Sequence, residues 1–160
     1  LMYYYLGQHK EAAEAMRNAL ELAPKARVTW SNLGDILFVD GDLAAAHEAF
    51  VKAEELAKAA LLVNPNDPAV MMDLAWIHSM LDEELQALEF IGKASDALPD
   101  DPHADYILGL IQHRAGNIDA ALDAFDAAVA KGYSRTILAA EPHLIALRGH
   151  PRFKKIIGAD

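Results

Sequence analysis

The sequence predicts an all-α fold, a solenoid of stacked helical hairpins, and three observations carry that expectation. The first is a repeat: Gly7, Ala12, Met16, Ala19 recur as Gly41, Ala46, Phe50, Ala53, then Asp82, Ala87, Ile91, Ala94, then Gly116, Ala121, Phe125, Ala128. The intervals 41 − 7 = 34, 82 − 41 = 41 and 116 − 82 = 34 centre on the length of a helix–turn–helix repeat unit. The second is spacing, because stripes such as Ala12, Ala15, Met16, Ala19, Leu20 place apolar side chains on one helical face. The third is punctuation: Asp67–Pro68 and Asp101–Pro102 read as an N-cap followed by the first helical residue. Stacked hairpins offer an extended surface to partners, so the expectation is a binding module rather than an enzyme.

Taken in order, residues 1–24 form a partial repeat. Tyr3 stands near the end of a truncated first helix, Gly7 makes the turn, and the second helix stops at Pro24. Upstream sequence is therefore expected. Residues 27–65 carry Trp30, Leu33, Gly34 and Leu37 on a first helix, then the Gly41–Asp42 turn, where glycine supplies a left-handed residue and aspartate a cap. Here the interval of 41 exceeds 34 by seven residues, about two helical turns. The addition keeps the apolar face in phase and places a lengthened second helix over about Leu43–Val63, with the extra residues at 54–64.

The next repeat spans residues 68–99, with Asp82 at the position of the turn glycine, and a further repeat spans 102–133, ending at Gly132–Tyr133. Residues 134–160 read as capping helices. Pro142 and Pro151 start two short ones, and Leu138, Leu144, Leu147, Phe153 and Ile156 can cover the apolar end of the last repeat, which a solenoid must shield. Gly34, Ala75 and Gly109 on first helices, with Ala46, Ala87 and Ala121 on second helices, let paired helices approach closely.

Composition excludes several functions. The formal net charge of −10, with 14 Lys plus Arg scattered without a block, opposes binding to nucleic acid or anionic lipid. With no cysteine, neither disulfides nor thiolate sites can form, which fits a cytoplasmic setting without requiring one. No apolar run approaches the roughly 20 residues of a membrane-spanning helix. Seven histidines invite a metal, yet none pair at i, i+4, and His47–Glu48 does not extend into a metalloprotease motif. His78 reads as an interhelical packing residue, and His143 and His150 as cap residues beside prolines. Gly92–Lys93 lacks the remaining residues of a phosphate loop, and the acidic pairs lack calcium-loop spacing. No catalytic residue, metal or cofactor is expected.

The second unit, with Trp30, Leu33, Gly34 and then Ala46, Phe50 and Ala53, resembles the tetratricopeptide repeats. Other units depart from that pattern: Leu37, His78 and Gln112 replace the tyrosine, Met71 and Asp105 the tryptophan, and Ile91 the phenylalanine. The resemblance implies a right-handed α-α superhelix of about three and a half repeats with a C-terminal helical cap. The tail from Gly132 to Ile157 is similar to the segment closing repeat arrays in bacterial signalling proteins, among them serine/threonine kinases, adenylate cyclases and winged-helix regulators.

The family pattern also implies a concave groove for a partner's peptide or helix, lined here by Tyr4, Tyr5, Asp35, Phe38, Met72, Trp76, Met80, Tyr106, Leu110, His113 and Arg114. Ser31, Val39 and Ser79 belong to the same face. Members that grip chaperone tails place a lysine and asparagine clamp where this chain has Asp35 and Trp76, so that ligand is not expected. Arg114, the one groove cation, is expected to meet an acidic partner group. Three readings stay open: a scaffold that recruits a protein, a regulatory domain contacting a missing upstream domain of its own chain, and a homodimer formed through Leu1, Met2, Tyr3 and Leu6.

Overall fold

Ten α-helices and one 3-10 helix make up the computed structural model, which describes residues 2–159, with side chains from residue 3 onward. A short α1 (Met2–Tyr5) leads into α2 (His9–Leu22). Three hairpins follow: α3 (Arg27–Asp40) with α4 (Leu43–Val63), α5 (Pro68–Met80) with α6 (Glu84–Ala97), and α7 (Pro102–Arg114) with α8 (Ile118–Ala130). The tail folds as α9 (Arg135–Ala140), a 3-10 helix (Pro142–Leu147) and α10 (Pro151–Ile157). The structure is an all-α superhelical repeat, and no helix among the described residues is long and apolar enough to cross a membrane.

Each boundary has a local cause. Asp67 accepts from the backbone N–H of Ala69 and Val70, and Asp101 from that of His103, each ahead of a proline at the first helical position. Gly41 closes α3 at φ 90°, and the Asp42 carboxylate then takes the Ala45 N–H at 3.2 Å to start α4. At the matching turn after α5, Asp82 holds φ 61°, a left-handed conformation aspartate tolerates better than most side chains.

Packing between paired helices depends on absent side chains. A Cβ added at Gly34 would lie 2.8 Å from the Phe50 ring, and one at Gly109 would lie 2.3 Å from the Phe125 ring. Ala46, Ala87 and Ala121 opposite are all buried. Helix α4 runs for 21 residues against 14 in α2. Its last turns bury Ala57 against Val70 and Leu74 in a small core of their own, beside Leu61 and Phe90. At the other end, α10 seats Phe153 edge-on to Phe125 with centroids 6.1 Å apart. Leu138, Leu144, Leu147 and Ile156 are buried with it, so the tail packs against α8.

Candidate binding cavity

First helices contribute the side chains of one face, and the tail bends back across it. Glu141, between α9 and the 3-10 helix, is 3% exposed. Its Oε1 accepts from the Tyr4 hydroxyl at 3.0 Å and the His143 backbone N–H at 3.2 Å, and its Oε2 accepts from the Tyr106 hydroxyl at 2.7 Å. One carboxylate thus joins α1, α7 and the tail. Burial, reinforced by the Asp35 and Glu141 charges near Tyr4 and by Glu141 near Tyr106, pushes both phenol pKa values well up. These hydroxyls therefore stay protonated donors. Tyr5 is pushed up to about 12 by burial and the same two carboxylates.

Two residues further on, His143 enters the face. Its ring stacks on Phe38 at 5.5 Å, meets Trp76 edge-on at 5.1 Å, and brings Nε2 within 3.4 Å of Asp35 Oδ1. Burial alone would lower the His143 pKa; the Asp35 carboxylate beside the ring, helped by Glu141 and opposed by Arg114, outweighs it and raises the value. Asp35 also accepts the Trp76 indole N–H at 2.8 Å.

This plug divides the expected groove. On one side lies a cavity of about 320 Å³ whose walls include Tyr4, Tyr5, Asp35, Met72, Trp76, Tyr106 and Leu110, together with Asp73, Glu141 and His143. Tyr4, Trp76, Tyr106 and Leu110 are themselves largely buried in its walls, so they shape the space more than they offer free surface. Asp73 accepts from Arg27 Nε at 2.8 Å, yet burial outweighs that partner and raises its pKa.

Phe38, Met80, His113 and Arg114 do not line the cavity. Met80 is in the core, and burial lowers the pKa of the half-buried His113 against the opposing pull of a hydrogen bond with the His143 backbone. Arg114 corrects the sequence expectation most clearly. Its Nε donates to the Ser79 carbonyl and its Nη2 to Asp82, each at 2.7 Å, while its guanidinium lies 5.4 Å from the Phe38 ring centre. It ties two hairpins together instead of awaiting an acidic partner. The self-association expectation lies partly outside the description, since nothing is described of Leu1 or the Met2 side chain; Tyr3 and Leu6 are exposed.

The tetratricopeptide repeat model matches residues 2–57 and 85–134. The chain belongs to that family. Similar solved structures include the tetratricopeptide repeat protein YrrB, described as having an unusual peptide-binding site, at 16% identity over 97% of this chain and 77% of that one, TM-score 0.45. Also similar are MamA, at 20% identity over 98% and 87% with TM-score 0.47, and MamA MSR-1 C2, at 18% over 97% and 88% with TM-score 0.47. No curated protein matches the sequence. In this tetratricopeptide repeat chain Trp76 and Asp35, on successive first helices, are bonded to each other.

Sequence reasoning missed a second cluster. Glu54 and Glu83 converge on His78, with Nδ1 2.5 Å from Glu83 Oε2 and 3.7 Å from Glu54 Oε1. The ring stacks on Phe90 at 5.4 Å, as a packing residue should. The donor set suits a divalent metal in type, but Nε2 is buried without a partner, whereas a metal-bound histidine gives that proton to an outer group. Lys58 also holds Glu54 at 2.6 Å. The cluster is built as an interhelical hydrogen bond between His78 and Glu83, with Glu54 alongside.

Proposed function

We propose that this chain is a non-catalytic scaffold that captures a segment of a partner protein in the first-helix cavity. The observation that carries the proposal is the cavity itself: about 320 Å³ walled by side chains from α1, α3, α5, α7 and the tail, so that it exists only when the repeats are stacked. Concave sites of about 300 Å³ upward, mostly apolar with a few convergent polar groups, are where proteins hold ligands. Aromatic and methionine walls suit a peptide side chain.

The test places a photo-activatable residue at half-buried Met72 on the cavity wall, and separately at exposed Val51 on the outer helix α4. A discrete adduct formed from position 72 and absent from position 51 supports the reading. Equal adducts from both positions, or none from 72, refute it. If position 72 joins the chain to another part of its own polypeptide, the regulatory-domain reading takes its place.

A further inference from the structure

We infer that the cavity selects a cationic side chain, arginine or lysine, on the captured partner segment. This rests on the scaffold reading and adds the chemistry of what is read. Three carboxylates, Asp35, Asp73 and Glu141, line the space, and the lining contains no lysine or arginine. Glu141 spends both oxygens on tyrosine hydroxyls. Asp35 engages Oδ1 with Trp76 and His143, and Asp73 engages Oδ2 with Arg27. Among the described residues, Asp35 Oδ2 and Asp73 Oδ1 take no hydrogen bond. Two carboxylates on successive first helices are thus each half-used.

The same lining includes the half-buried Tyr5 ring with Trp76 and Tyr106 behind it in the walls, and aromatic rings attract ammonium and guanidinium groups, more strongly where water is excluded. Size limits the occupant. At about 320 Å³ the space is at the low end for ligand sites; it admits one long side chain and excludes a helix. His143 faces Asp35 and Glu141 and partly offsets them, while the only arginine carried over from the family's groove pattern, Arg114, is turned away toward Asp82. The net charge of −10 further favours approach of a cation.

The full chain is titrated with three probes: acetyl-glycyl-arginyl-glycine amide, the same tripeptide with citrulline as the neutral isostere of arginine, and butylguanidinium. The readout is the indole N–H resonance of Trp76, with Trp30, whose indole bonds the Pro24 carbonyl at 2.9 Å away from the cavity, as internal control. The expected result is a shift of Trp76 alone by the arginine peptide in the millimolar range, as ligand efficiency allows for so small a probe. The citrulline peptide is expected to bind about tenfold more weakly or less, and Asp73→Asn to weaken the arginine peptide about threefold, the size of a partly exposed ion pair.

Equal binding of the arginine and citrulline peptides overturns the charge selection while leaving the scaffold reading to the crosslink from position 72. Binding of butylguanidinium without the arginine peptide overturns the partner assignment in favour of a free organic cation. No shift of Trp76 with any probe overturns the inference as well.

Discussion

Removing the Glu141 carboxylate tests the tail's hold on the repeat face. In Glu141→Ala, the Tyr4 and Tyr106 hydroxyls and the His143 N–H all lose their acceptor in a site where the glutamate is 3% exposed. Hydrogen bonds to a charged group contribute about 1.5–3 kcal/mol each, so simple addition gives about 4.5–9 kcal/mol. That sum overshoots, because the three bonds share one group and burial of the carboxylate opposes them. Each of the three neutral donors left buried without an acceptor costs about 1–3 kcal/mol, offset by no longer burying a carboxylate, so about 3–5 kcal/mol is the expectation. For a domain of this size it corresponds to a melting temperature lower by roughly 6–20 °C. Thermal melts followed by circular dichroism give the number. Glu141→Gln, which keeps the shape and one acceptor oxygen, should fall between the two proteins. A Glu141→Ala melt within about 0.5 kcal/mol of the parent, the range of ordinary surface changes, would refute the argument that this residue fastens the tail.

Two further outcomes follow from the geometry. Gly109→Ala sets a methyl 2.3 Å from the fully buried Phe125 ring, against 2.8 Å from Phe50 for Gly34→Ala; overpacking of about 1–3 kcal/mol exceeds the helix-propensity gain of about 1 kcal/mol. Gly109→Ala should therefore lose up to about 2 kcal/mol in denaturant unfolding and Gly34→Ala less, and a stabilised Gly109→Ala would count against the close helix approach. The His143 pKa is raised above its ordinary 6.5 by Asp35 and Glu141, against burial and Arg114. Its contribution is therefore full below pH 6.5 and lost as pH rises through the folded value. The stability difference between the parent and His143→Gln should shrink from pH 5 to pH 9; a difference independent of pH would contradict the Asp35 pairing.

Much of the architecture was legible because hairpin turns demand particular backbones. Gly41, Asp82 and Gly116 all sit at positive φ, and the repeat alone places each of them at a turn. The seven-residue excess in one interval appeared as the 21-residue α4, since two added turns leave the buried stripe in phase. The family pattern skips residues 58–84, a stretch holding the end of α4 and a first helix with Met71 and His78 at pattern positions. The helical period survives there although the motif does not.

The candidate site was legible only in part. The family pattern assigns Tyr4, Asp35, Met72, Trp76 and Tyr106 to one face, and all five line the cavity. What crosses that face was hidden. Glu141 precedes and His143 lies in a 3-10 helix of only six residues, too short to show a period, and they reach partners 137 and 108 positions away (141 − 4 and 143 − 35). Proline spacing announced that short helices begin there but not where the intervening side chains go. His78, Glu54 and Glu83 were separated in the same manner, by pairing across helices rather than along one.

Linear repeat stacks touch only their neighbours, so they can fray from an end while the middle stays folded. The bond between Tyr4 and Glu141 breaks that rule by tying the first described helix to the tail. A hairpin out of place anywhere between them would pull the two apart. The clasp thus checks the integrity of the entire array, and the space beneath it is presented only by molecules whose assembly is finished.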